Sequence, residues 1–237
     1  MPEWLKHIVR PLYFWIYRLR GYPGLDYMTS PILDVHDEYN EVRTYRIAKP
    51  EGFTFQAGQY AHLVAPGGHI NNHDVRHMSM ASAPNEPDLL FTMDLQSGSR
   101  FKRRFRQSKP GDTVGLFKIR GHFSAADLGA DDSILFIAGG IGITPIRSII
   151  QSNPPQRWKL VYAGKGYCYA DEWRDEAIAD KVTFVKRHSL FDAIDAAVTS
   201  SSHFYLCGTG SFIASVTEHL LAQDVAEERI RTENFGA

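Results

Sequence analysis

Ala138-Gly139-Gly140-Ile141-Gly142-Ile143-Thr144-Pro145 is the stretch whose reading decides the fold. It follows the apolar run Ile134–Ala138 and precedes a segment of helical spacing at about Pro145–Gln151, so it reads as strand, glycine turn and helix start in succession. Glycines let the backbone approach a ligand closely, Pro145 suits the first turn of a helix, and the unpaired N–H groups of such a turn attract a phosphate. Thr144 either caps that helix or donates to a pyrophosphate. Glycines alone are weak evidence, because strand-to-helix turns use them for geometry. Here strand, loop, cap and helix agree.

Working outward, three further apolar runs, Lys159–Ala163, Val182–Lys186 and His203–Cys207, alternate with helical segments at Asp171–Ala179, Leu190–Val198 and Ser211–Ala222. That alternation predicts a parallel sheet covered on both faces. The last run ends in Cys207-Gly208-Thr209-Gly210, again before a helix. Ligands of open α/β sheets lie outside the carboxyl ends of the strands, so this loop and the first are expected to converge on one crevice. Taken alone, Cys207 is a small buried hydrophobe. Beside these glycines it reads as a cysteine next to a reacting ring.

The first half has a different rhythm. Short strand-like runs, Ile32–His36, Val42–Ala48, Tyr60–Ala65, His77–Ala81, Leu89–Met93 and Thr113–Lys118, are punctuated by Gly- and Pro-containing turns, which predicts an antiparallel barrel or sandwich. One helix, Arg100–Gln107, follows Ser97, Gly98 and Ser99. The boundary falls near residues 124–132, dividing the chain into an N-terminal segment 1–24, a barrel domain 25–127 and an α/β domain 128–237. On the barrel, Arg76-His77-Met78-Ser79 offers an arginine that can pair bidentately with a phosphate and a serine that can hydrogen-bond a ring nitrogen. By itself, a surface arginine on a strand is the ordinary reading. Gly98, Ser99 and Arg100 supply small residues and a cation at a helix start, a second phosphate cradle. Lys102, Arg103, Arg104 and Arg106, with Lys109 beyond, form either a solvated face or a dock for an acidic electron carrier.

Composition narrows the classes. With 26 basic against 27 acidic residues there is no phosphate-attracting field, which argues against a nucleic-acid partner. The two cysteines, Cys168 and Cys207, are too few for a zinc site or a chain-held iron–sulfur cluster, so no metal is expected. Their scarcity fits a reducing, cytoplasmic setting, and the start lacks the pattern of a signal peptide. Trp4 to Arg20 reads as a basic amphipathic helix, too short and too charged to span a membrane. It either packs on its own protein or docks peripherally on a membrane surface or a partner.

In order, Arg76…Ser79, Gly98-Ser99 with its helix, Lys109-Pro110-Gly111-Asp112, the glycine loop and Cys207-Gly208-Thr209-Gly210 resemble the ferredoxin–NADP reductase-like flavoprotein family over about residues 30–237. The resemblance implies an FAD-binding antiparallel barrel followed by a pyridine-nucleotide-binding α/β domain, with flavin and nicotinamide meeting between them. It implies an NAD(P)H-dependent reductase that passes electrons to a protein acceptor such as a ferredoxin, a flavodoxin or an oxygenase component. The alternatives are a reductase releasing reduced free flavin, and a binding module without turnover. Carried over by position, Arg76 clamps the FAD pyrophosphate, Ser79 hydrogen-bonds the flavin near N5, and Ser99 with its neighbours holds the FAD phosphates. Gly139 to Thr144 take the nucleotide's pyrophosphate and ribose, and Cys207, Gly208 and Thr209 lie against the nicotinamide. Glu233 tunes protonation, and Phe235 stacks on the flavin's other face. Met78 stands where the family usually places an aromatic residue, which leaves FMN or a loosely held FAD as an alternative. The loop Ala163-Gly164-Lys165-Gly166-Tyr167 has no acid for a free ribose. Lys165, assisted by Arg174, could neutralise a 2′-phosphate, which favours NADPH over NADH slightly.

Overall fold

The computed structural model describes residues 27–129, 131–152, 157–199 and 201–235. The expected helix over residues 4–20 lies outside them.

Six strands form an antiparallel, barrel-like sheet: β1 (Met28–Tyr39), β2 (Val42–Ala48), β3 (Tyr60–Val64), β4 (Val75–Ser79), β5 (Asp88–Asp94) and β6 (Thr113–Arg120), in the order β4-β3-β6-β1-β2-β5. Tyr45, Ile47, Leu63, Leu89, Phe91 and Leu116 fill its interior, each fully buried. Helix α1 (Arg100–Gln107) closes one side, because its two apolar residues, Phe101 and Phe105, are four apart and so share one face. Phe105 meets Tyr45 edge to face at 4.9 Å between ring centroids.

The second half is a parallel sheet of five strands in the order β11-β10-β7-β8-β9. These are β7 (Ser133–Gly139), β8 (Arg157–Ala163), β9 (Val182–Val185), β10 (His203–Gly208) and β11 (Ile230–Asn234), with helices α2 (Ile143–Gln151), α3 (Ala170–Trp173), α4 (Leu190–Val198) and α5 (Gly210–Leu221) between them. Alternation within each strand sorts the core. Ile134, Phe136, Ala138, Leu160, Tyr162, Tyr205 and Cys207 face α2 and the barrel, while Leu135, Ile137, Val161, Phe204 and Leu206 face α4 and α5. Both faces are therefore dry, which is why these runs are apolar throughout rather than alternating.

The structure departs from the sequence expectation in several elements, beginning with β1, which runs over Met28–Tyr39 where Ile32–His36 was expected. The helix expected over 171–179 stops at Trp173. Trp173 is buried with its indole N–H donating to Cys168 O, and Asp175 Oδ1 accepts from Ala177 N at 2.9 Å, a local bond that competes with helix continuation. Strand β4 runs from Val75 rather than His77. It ends at Ser79 because Met80 N turns to Gln59 O and Ala81 N to Leu90 O. Lastly, Ile230–Asn234 is a strand, paired in parallel along the edge of β10.

Barrel and sheet meet through hydrogen bonds as well as apolar contact. Glu38 accepts from Tyr169 N at 2.9 Å and from Thr44 Oγ1 at 2.6 Å, Thr44 meets Thr92, and Thr92 meets the Tyr169 hydroxyl.

Candidate functional site

The glycine loop leaves β7 at Gly139, makes a tight turn over Gly140–Gly142 and enters α2 at Ile143. Gly140 has φ +56°, a left-handed conformation open to a side-chain-free residue, and nothing lies within 4 Å of where its Cβ would be. Gly142 is there for a different reason. A Cβ on it would come 2.2 Å from Cys207 O and 2.8 Å from Gly208 N. The two loops thus touch backbone to backbone, and one crevice lies outside the ends of β7 and β10. Thr144 does not cap the helix. The cap position is Gly142, without a side-chain bond, and Thr144 sits inside the first turn, 2% exposed, donating to Ile141 O at 3.0 Å. The turn before α2 starts the helix two residues early, which turns the Thr144 hydroxyl inward.

At the end of β10, Cys207 is fully buried and Glu233 of β11 stands opposite it in register. Phe235 N donates to Gly208 O at 3.0 Å, so β11's pairing carries Phe235 to the same crevice, where its ring is half-buried against the core. Thr209 caps α5, its hydroxyl accepting from Phe212 N at 3.4 Å. The Phe212 ring lies over Gly139 and Gly208, at 3.0 and 2.8 Å from where their Cβ atoms would be. Sequence reasoning missed this residue, although its place two residues into a helix after Cys-Gly-Thr-Gly signals a ring covering the strand ends. Burial pushes the Cys207 thiol well above its ordinary range, and Glu233 adds to the effect. Burial also raises the Glu233 carboxyl, with His122 acting in the opposite sense.

Across the crevice, Tyr60, His122 and Phe123 of the barrel half and Arg231, Thr232 and Glu233 of β11 line a cleft of about 510 Å³. Ser79 pairs with Tyr60 across strands, is 6% exposed, and its hydroxyl makes no hydrogen bond with another described residue. His77 points outward, stacked on Tyr60 at 5.2 Å and 4.1 Å from the His62 ring. Met78 turns the other way and packs against the barrel core.

Arg76 donates to Asn72 O at 2.7 Å and Val75 O at 2.6 Å, and its guanidinium lies 5.7 Å from the Phe101 ring, which brings β4 to the start of α1. Ser99 caps α1, accepting from Lys102 N at 3.3 Å, and the Cβ direction of Gly98 is open. Arg100 is committed elsewhere: Nε and Nη2 donate to the fully buried Asp74 at 2.7 and 2.9 Å, and Arg104 joins at 3.2 Å. Burial works to raise the Asp74 pKa, but Asn71, His69 N and Arg100 outweigh it and hold the carboxyl below its ordinary range. The basic face of α1 is accordingly smaller than the sequence suggests. Arg103 donates to Gly98 O and Arg106 pairs with Glu41, whereas Lys102 and Lys109 have no side-chain partner among the described residues.

Lys165 is exposed at the end of β8 between two glycines. Lys186, which the sequence reading did not single out, reaches the same loop, 3.4 Å from Lys165 O and 5.2 Å from the Tyr167 ring. Arg174 sits over Phe184 and 3.8 Å from Asp171. Among the described residues no cluster of three or more His, Cys, Asp or Glu could hold a metal ion, and no helix is long and apolar enough to cross a membrane.

These elements fit a dinucleotide and a flavin: an open glycine turn at a helix start, packed on the end of β10, and a cleft where the end of the barrel meets β11. No family model matches the chain. It is 26% identical over 218 residues to a vanillate O-demethylase oxidoreductase of Pseudomonas putida, covering 87% of this chain and 68% of the relative. It is 28% identical over 216 residues to the tetrachlorobenzoquinone reductase of Sphingobium chlorophenolicum, covering 83% and 64%. The chain thus spans about two thirds of the length of these relatives. Among solved structures, a ferredoxin NADP+ reductase from Neisseria gonorrhoeae with bound FAD and NADP superposes with a TM-score of 0.71 at 20% identity, covering 88% of this chain and 98% of that one.

Proposed function

The chain is a homologue of the ferredoxin–NADP reductase-like FAD/NAD-binding oxidoreductases and has their two-domain fold, and from that premise we propose that it is an NAD(P)H-dependent flavoprotein reductase serving a separate protein acceptor. Residues 25–127 form its flavin domain and 128–237 its nucleotide domain. The observation that carries this reading is the backbone contact of Gly142 with Cys207 and Gly208, which gives both loops one crevice, with Glu233 in register beside Cys207.

When bound, FAD supplies the two-electron chemistry, accepting hydride from a reduced nicotinamide. The residues do the rest by position. Arg76 and the open turn at Gly98, Ser99 and Arg100 receive the FAD phosphates, chiefly through backbone N–H groups at the start of α1, since the Arg100 side chain is held by Asp74. Ser79 donates to the flavin ring, and Phe235 covers its far face. Gly139, Gly140 and Gly142 cradle the nucleotide pyrophosphate, with the start of α5 at Thr209 adding N–H donors. Cys207 and Gly208 form the floor under the nicotinamide, where a neutral thiol fills space without bringing a charge. Glu233, with its raised pKa, holds a proton beside the cleft at pH values where an ordinary glutamate has lost it. Lys165, with Lys186 behind it, favours a 2′-phosphate and hence NADPH. The acceptor docks on the cations Lys102, Arg103 and Lys109, and the protein acts in the cytoplasm, with residues 4–20 contacting a membrane surface or partner.

A second reading, release of reduced free flavin, is favoured by Met78, whose side chain packs into the barrel instead of offering an aromatic face. Gel filtration of the FAD-loaded protein with NADPH and ferricyanide separates the two. Flavin co-eluting with the protein, and dye reduction that persists without added flavin, supports the first. Flavin lost on the column, with turnover restored only by adding it back, supports the second. No turnover with either nucleotide contradicts both.

A further inference from the structure

Arg147 lies on α2, three residues after Thr144, with a side chain only 5% exposed. Its Nη1 and Nη2 donate to the two carboxylate oxygens of Glu86 at 2.9 and 3.1 Å. Nε and Nη2 donate to those of Glu172 at 2.7 and 2.9 Å. Nη1 also donates to Ala81 O at 2.8 Å, and the guanidinium lies 5.0 Å from the Tyr169 ring. Glu86 and Ala81 belong to the barrel, Glu172 and Tyr169 to the parallel-sheet half. The next residue, Ser148, repeats the connection by donating to Ser82 O at 2.7 Å and accepting from Gly58 N at 3.4 Å.

Two features distinguish this bridge from an ordinary ion pair. Exposed pairs contribute little and tolerate many geometries, whereas a buried guanidinium gripped by two bidentate carboxylates has a defined orientation. Its anchor points also matter. Ala81 is two residues beyond Ser79, and Arg147 shares a helix with the glycine loop that touches Cys207. One side chain therefore ties the segment carrying the flavin-facing hydroxyl to the element carrying the dinucleotide loop.

We propose that Arg147, held between Glu86 and Glu172, is the joint that sets the spacing of the flavin and nicotinamide sites, which makes it a positioning residue for the transfer between them. This rests on the reading of the cleft as a flavin and nicotinamide site. Apolar packing between the halves can slide, and a misplacement of about 1 Å costs on the order of a hundredfold in rate.

The test compares Arg147→Lys, Arg147→Met and Glu86→Gln in the full-length, FAD-loaded protein. Dye-reduction kcat is expected to fall about tenfold in Arg147→Lys and Glu86→Gln and about a hundredfold in Arg147→Met, with KM within roughly threefold and flavin content unchanged. The long-wavelength absorbance of stacked flavin and nicotinamide, recorded on anaerobic mixing, should weaken in the same order. Partial rescue by lysine separates a charged joint from mere filling of space. Amide exchange in the flavin-free chain supplies a readout independent of the cofactor: Arg147→Met should speed exchange of residues 81–86, across the boundary from the mutation. Wild-type kcat and absorbance in Arg147→Lys and Glu86→Gln, or unchanged exchange at 81–86, would overturn the proposal. A wild-type protein that takes up no flavin removes the functional reading, while the exchange result still decides whether the joint exists.

Discussion

Gly142 shows how one residue can carry an architectural decision. Its Cβ position lies inside the backbone of β10, so Gly142→Ala must push the two loops apart, and a cost of about 1–3 kcal/mol is expected from overpacking alone. Urea unfolding measures it, and nucleotide affinity should fall in parallel, because the displaced loop is the proposed pyrophosphate cradle. The sequence marks Cys207 as a candidate site residue, but says nothing of its state. Full burial keeps the thiol neutral, so alkylation by iodoacetamide at pH 8 should be far slower than for an exposed cysteine, and addition of denaturant should abolish the difference. Asp74 went unread in the sequence because nothing local marks it. Its significance arises when residues 26 and 30 positions away fold back on it. Its pKa is lowered, against burial, by Asn71, His69 N and Arg100, so the stability it contributes is complete above the ordinary aspartate range, about pH 4, and is lost as pH falls through its depressed folded value. Asp74→Asn should therefore flatten the acid side of the stability curve below about pH 4. With the partner arginines partly exposed, the loss at neutral pH is expected near the lower end of the roughly 3–5 kcal/mol seen for broken buried pairs.

Among the elements, those with strong internal patterning were readable and those made by context were not. β2 and α1 begin and end where the sequence places them, since alternation in the first and two phenylalanines at helical spacing in the second leave little choice. β11 has a single aliphatic residue, Ile230, and is a strand because the open edge of β10 supplies its partners. α3 is short because Asp175 bonds its own turn. For α1 the charge count misled: Arg100 and Arg104 are structural ligands of Asp74, and only part of the basic face is available to a partner. Accordingly, Lys102→Glu with Lys109→Glu should slow reduction of an acidic protein acceptor about tenfold while leaving dye reduction unchanged. Arg104→Glu should instead lower thermal stability by loosening the barrel. Equal effects on both acceptors in the Lys102 and Lys109 variant would place the dock elsewhere.

At the scale of the molecule, the proposed site belongs to neither half. The barrel contributes Ser79, Arg76 and the start of α1. The sheet contributes the glycine loop, Cys207 and Glu233, and the proposed site forms only where the two halves abut. Both families of motifs are visible in the sequence, since each is local. The contacts that hold them at one distance, Arg147 with Glu86 and Tyr169 with Thr92 and Glu38, join positions tens of residues apart, and no local pattern announces them. The most direct test of the whole account is an anaerobic titration of the FAD-loaded protein with NADPH, followed by its visible spectrum. The account predicts stoichiometric bleaching of the oxidised flavin bands, with one nucleotide consumed per flavin. Oxidised bands that persist through excess NADPH and excess NADH would contradict it.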